Sequence, residues 1–193
     1  MKKQVLLASI ISAILLSGCG GEDTKDDQVS AEKSVSSSVS SEVVEEKEPL
    51  TKKDATALDA SLQVNIKYIR KFYTDLMELT SQVDQGTTSL VDVYNYCKSW
   101  TETDINANLD GMTDEYSLEY RKSLNSFYYT SKELAKAVME YANTGTIETA
   151  SKMQEEMQYF QIYNMDIDEK REAYLISAGY TADEIEPVPE VEE

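Results

Sequence analysis

Between Leu58 and Tyr174 the apolar positions recur three and four residues apart, the period of one helical face. Leu58, Leu62, Ile66, Ile69, Tyr73, Leu76 and Val83 form one series, with Thr80 filling a slot. Tyr120, Leu124, Phe127, Ser131, Leu134, Val138 and Tyr141 form another. A third runs through Ile147, Ala150, Met153, Met157, Phe160, Asn164, Ile167, Arg171 and Tyr174. A shorter, less regular series joins Leu90, Tyr94, Cys97, Trp100 and Ile105. No proline occurs between Pro49 and Pro187, and the span holds four glycines: Gly86, Gly111, Gly145 and Gly179. Helices commonly place glycine just past their ends. The pattern therefore predicts four helices with a glycine near each stop. The last two glycine spacings, 34 residues each, equal a tetratricopeptide repeat, but each interval is one unbroken pattern without a second turn signal.

Helix starts are marked too. Thr51 with Asp54, and Ser89 with Asp92, have the spacing of a capping box. Thr113 precedes Asp114 and Glu115, acids that suit a helix N-terminus. Short connections make successive helices antiparallel. The expected fold is all-α: an antiparallel up-down four-helix bundle across residues 51–180. Residues 19–50, with SVSSSVSSEVVEEKEP, are rich in serine and charge and lack aromatic residues. Such a segment buries too little apolar surface to offset its ordering entropy, so it is expected to be a disordered tether. As a coil of some thirty residues it reaches roughly 30 Å. Residues 181–193 are expected to be a disordered acidic tail, although a short extra turn fits Thr181 to Glu186.

The N-terminal segment has a different pattern. Lys2 and Lys3 precede an unbroken run of apolar and small residues from Val5 to Leu16, which is followed by Ser17, Gly18 and Cys19. The run is too short for a spanning helix, which needs about twenty residues. Charged, apolar and small-residue regions in that order are those of a secretory signal. Leu16-Ser17-Gly18-Cys19 resembles the lipobox of bacterial lipoproteins at all four positions. That resemblance implies a signal peptide over residues 1–18, cleavage before Cys19, and a thioether-linked diacylglycerol on Cys19. Two or more acyl chains anchor stably where one binds only marginally. The expected location is the extracytoplasmic face of a cell membrane, and the Ser- and Lys/Glu-rich tether favours a Gram-positive host. Gly20 is not the aspartate that signals inner-membrane retention in many lipoproteins of two-membrane bacteria.

Charge narrows the partners. Without Lys2 and Lys3 the mature chain carries 16 basic against 36 acidic residues, a net of −20. That repels nucleic acid and an anionic leaflet alike. The membrane partner is thus reached through the Cys19 lipid. Histidine is absent from the chain, which removes Ser-His-Asp and Cys-His catalysis and histidine-ligated metal. It also removes the Glu-x-x-His signature of di-iron bundles. No glycine-rich phosphate loop occurs. No catalytic residue, resident metal or cofactor is assigned from the sequence.

Three features remain as candidate chemistry. Cys97, on the apolar register with Tyr94 and Trp100, reads as a small buried hydrophobe; the alternative is an intermolecular disulfide or redox thiol. Asp104 to Glu115 places oxygen ligands at positions 1, 3, 5, 7 and 12 of an EF-hand loop, but Leu109 occupies the slot that wants glycine. A register from Asn106 restores Gly111 but loses the glutamate, so a structural turn is the competing reading. The similar run Asn164 to Glu169 lies within a helical pattern and reads as a solvated face.

Finally, thirteen tyrosines stand against three phenylalanines. Tyr68, Tyr96, Tyr128, Tyr129, Tyr159 and Tyr163 do not all fit core registers, and tyrosine suits wet interfaces. Asn164 and Arg171 at core-like positions either fix helix register or mark a local groove. Together these features point to a non-catalytic surface interaction or accessory lipoprotein with a protein or envelope partner. The alternatives are a small-ligand or cation-binding module, using a groove or the Asp104–Glu115 loop, and a cell-wall-active enzyme.

Overall fold

The computed structural model describes residues 51–105 and 114–189. Four helices account for most of them: α1 Lys52–Asp84, α2 Leu90–Glu102, α3 Glu115–Thr144 and α4 Ile147–Ser177. No strand occurs among the described residues. Residues 1–50, on which the expected signal, lipidated Cys19 and tether fall, lie outside them.

Each helix begins on a side-chain cap. The Thr51 hydroxyl accepts from the Asp54 N–H, and Ser89 and Asp92 form a complete reciprocal box. Asp114 caps α3 by accepting from the Ser117 N–H at 2.9 Å, so the cap falls one residue after Thr113. Thr146 caps α4 through Thr149, just before Ile147, where the apolar series begins. Gly145 ends α3 at φ 61°, a left-handed conformation that a Cβ would disfavour. Gly86 and Gly179 follow α1 and α4 in the same region, while Gly111 lies outside the described residues.

Residue pairings set the topology. Asp59, Arg70 and Tyr73 of α1 meet Arg171, Asn164 and Phe160 of α4. Partner numbers fall on one helix as they rise on the other, so the two run antiparallel. Tyr68 and Phe72 of α1 meet Trp100 and Tyr96 of α2 in the same sense. Trp100 reaches Ser131 of α3, and Phe127 of α3 meets Phe160 of α4. The result is a four-helix, up-down bundle. Contact is most extensive between α3 and α4, and α1 also touches α3 across the diagonal, where Tyr120 donates to Asp59 at 3.0 Å.

The core follows the apolar registers closely. All seven register positions of α3 are buried, as are Leu62, Ile66, Ile69, Leu76, Thr80 and Val83 of α1. Three departures have physical reasons. Phe72 and Val93 take the innermost slots and leave Tyr73 and Tyr94 half-buried, a phenol hydroxyl being costlier to bury than an all-carbon side chain. Ile147 opens α4 beyond the packed stretch and is 81% exposed. Asp59, a charged residue, is buried among the apolar positions of α1.

The expectation of a disordered tail is corrected for residues 181–189. Ala182–Glu184 forms a 3-10 turn in which Glu184 accepts from the Thr181 N–H at 2.9 Å. Beyond it Val188 is buried, and the Glu186 carbonyl accepts from Arg171 Nη1 at 2.8 Å. Glu184 also pairs with Lys52 at 2.8 Å, and Tyr180 hydrogen-bonds Thr56. Ile185 and Val188 lie between the acids, so this strap has apolar surface to bury as well as a guanidinium to satisfy. Residues 190–193 lie outside the described residues.

Candidate functional site

Antiparallel packing of α1 on α2 gathers aromatic residues from two segments about thirty positions apart. Phe72 stacks on Trp100 with ring centroids 4.5 Å apart and planes within 10°. Phe72 also stacks on Tyr96 at 5.8 Å, and Tyr68 leans on Trp100 at 5.2 Å and 49°. These rings line a cleft of about 230 Å³ whose rim carries Lys71 and Asp75. Phe72 and Trp100 are buried and make its floor. Tyr68, 48% exposed, and half-buried Tyr96 make its walls.

The floor is fixed from behind. Trp100 Nε1 donates to Ser131 Oγ at 3.0 Å, and Ser131 donates to the Tyr128 carbonyl at 2.6 Å. A buried indole with its N–H satisfied has little freedom to turn. Tyr128 packs edge-on against Trp100 and donates to the Thr103 carbonyl, holding the end of α2. At the rim the Tyr96 hydroxyl donates to Asp75 Oδ2 at 3.1 Å, while Lys71 Nζ lies 2.8 Å from Asp75 Oδ1. Burial, with the neighbouring Asp75 charge, pushes the Tyr96 hydroxyl far above its ordinary range, so it stays protonated and donating. The cleft therefore combines aromatic walls, one carboxylate and one ammonium.

A second cleft, of about 290 Å³, lies where the strap crosses Arg70 and Arg171. Its cations are already committed. Arg171 Nε and Nη2 reach the two Asp59 oxygens at 2.8 and 2.9 Å, a bidentate pair buried on both sides. Tyr120 and Gln63 supply further hydrogen bonds to Asp59. Arg70 holds Asn164 at 2.8 Å and Asp168 at 2.7 Å. This polar seam fixes the register of α1 against α4. Asp166 accepts from Ser123 at 2.5 Å, so the Asn164–Glu169 run contributes helix-to-helix contacts rather than only a solvated face.

The other candidates are placed less favourably for chemistry. Cys97 is fully buried and unbridged, and burial pushes its thiol up to about 12. That supports the buried-hydrophobe reading of this residue. Most of the Asp104–Glu115 segment lies outside the described residues. Of its ends, Asp104 lies 3.7 Å from Lys132 and Asp114 is engaged as the α3 cap. Among the described residues, no three acidic or thiol side chains cluster as a metal site would require. Nor is any described helix long and apolar enough to cross a membrane.

The sequence singled out Tyr68, Tyr96, Trp100 and Cys97 separately, and the fold brings the first three together. Phe72, Lys71 and Asp75 were not singled out. The i, i+3, i+4 and i+7 spacing of Tyr68, Lys71, Phe72 and Asp75 on α1 is the signal that would have joined them. Tyr129 and Tyr159 stand exposed on α3 and α4. The chain matches no protein-family model, and no match is found among curated proteins or solved structures.

Proposed function

We propose that this protein is a lipid-anchored, extracytoplasmic surface protein that binds a protein or envelope partner through the aromatic α1–α2 cleft, without a catalytic centre. The observation that carries the reading is the cleft itself, with Tyr68 and Tyr96 presented at its mouth over a rigid Phe72–Trp100 floor. Rigid aromatic side chains offer large contact area at small entropic cost, which is why interfaces concentrate them. The volume, about 230 Å³, lies below the roughly 300–1,000 Å³ usual for drug-sized ligands. It suits a side chain projecting from a larger partner better than a small molecule enclosed whole. The lipobox-like Leu16–Cys19 supports anchoring through Cys19, and the acidic chain keeps the domain off an anionic leaflet.

The test is crosslinking of intact cells followed by affinity capture of the protein. The intact chain is expected to recover a partner that the Tyr68→Ala, Tyr96→Ala variant loses while its helical spectrum is unchanged. Equal recovery by both chains would overturn the reading.

A further inference from the structure

We infer that the α1–α2 cleft recognises a primary ammonium, namely the lysine side chain of a basic segment on the partner, which enters between Tyr68 and Tyr96 and takes Asp75 as its counter-ion. The inference rests on the cleft being the binding surface and specifies what enters it.

Three observations lead there. First, the cleft already holds a cation of this chemistry. Lys71 Nζ sits 2.8 Å from Asp75 Oδ1 on the rim, and its side chain remains about half exposed. It marks the place an incoming ammonium would occupy, and an exposed ion pair of this kind is weak enough to exchange. Second, one wall is inclined to the floor, whereas the Tyr96 wall lies within 9° of Phe72. Tyr68 meets Trp100 at 49°, whereas Phe72 lies parallel to Trp100. An inclined phenol ring beside a carboxylate offers a compact cation its quadrupole as well as a counter-ion. The Tyr96 hydroxyl donates to Asp75 Oδ2, so an incoming ammonium would exchange with Lys71 at Oδ1.

Third, the charge of the whole chain is complementary. A formal net charge of −18, with no histidine to titrate near neutrality, attracts a basic partner over a broad pH range. Steering by that field raises the encounter rate, while the cleft supplies the specific contact.

The test uses Trp100, the only tryptophan in the chain, as a reporter in the cleft floor. The full-length protein in detergent micelles is titrated at fixed ionic strength with a capped peptide bearing one lysine between glycines. The Nε-acetylated form of the same peptide is the comparison. The lysine peptide is expected to change Trp100 fluorescence saturably and the acetylated peptide to have no such effect. Asp75→Asn is expected to weaken the response about tenfold or more, the loss typical of a hydrogen bond to a charged group. Asp183→Asn makes the same change in net charge at an exposed site in the strap and is expected to leave the response unchanged. Lys71→Met removes the resident competitor and is expected to tighten binding.

Equal titration by the two peptides would overturn the inference. So would no response to the lysine peptide, or equal weakening by Asp75→Asn and Asp183→Asn. If a partner is nevertheless captured from cells in a Tyr68-dependent way, the cleft remains the binding surface and its occupant is not an ammonium.

Discussion

At the scale of single residues, the least expected feature is Asp59. Apolar periodicity cannot announce a buried carboxylate, and its partner Arg171 lies 112 positions away. Arg171 itself was legible as a charged residue on a core register, but its pairing was not. A buried ion pair is weak evidence for stability, yet breaking one side of it is costly. Arg171→Met is therefore expected to lower unfolding stability by about 3–5 kcal/mol. The double variant Asp59→Leu, Arg171→Met is expected to recover much of that loss, because no charge is stranded. Chemical denaturation of both variants checks this, and equal losses would contradict it. Cys97 gives a second expectation. With its thiol fully buried and pushed up to about 12, it should resist alkylation in the native Cys19→Ala protein at pH 8. It should react readily in denaturant, whereas rapid native labelling would place the thiol at the surface.

At the scale of elements, α1, α3 and α4 were legible because apolar period and a closing glycine agreed, whereas α2 ends at Glu102 on Thr103 rather than near Gly111. Thr51, Ser89 and Gly145 stand where local chemistry demands them. In α2, Cys97 and Trp100 lie in the core as their register predicts, and the series is one residue out at Tyr94, where Val93 takes the slot. The short turn after Thr181 was legible, but the packing of the strap beyond it was missed because its composition is that of a disordered tail. Its two apolar contacts and one carbonyl acquire partners only after α4 has placed Arg171 beneath them. The strap should be sensitive to acid. Its Lys52 hydrogen bond, aided by the Thr181 N–H, holds the Glu184 carboxyl down from its ordinary 4.5 to about 2. A depressed folded-state value means the contribution is fully present above pH 4.5 and lost as pH falls toward 2. An NMR titration of the Glu184 side chain should give a midpoint near 2, with the Val188 methyl signals moving in step. A midpoint near 4.5 would mean that the strap is not held this way.

At the scale of the whole molecule, the bundle was readable from sequence and the cleft only in pieces. The heptad-like series fix which face of each helix turns inward, and packing completes the topology. The cleft depends on where α1 crosses α2, which no single segment encodes. Tyr68 and Trp100 therefore meet without any local motif to announce it. The aromatic core of the bundle is tested by Phe127→Ala. This change removes a fully buried ring packed on Phe160 and should cost about 3–5 kcal/mol in a strongly helical, cooperative melt. A near-neutral result would mean that α3 does not present this face to the core.

Our proposal is that a lipid-held bundle engages its partner through the α1–α2 cleft. It is tested most directly by placing a photo-crosslinking amino acid at position 68 in one chain and at position 159 in another, then irradiating intact cells. Tyr68 and Tyr159 are similarly exposed, at 48% and 46%, but only Tyr68 borders the cleft. A discrete crosslinked partner is expected from position 68, little from position 159, and loss of the product when Cys19→Ala removes the proposed lipid acceptor. A yield from position 159 equal to or greater than that from position 68 would contradict it, as would a product indifferent to Cys19.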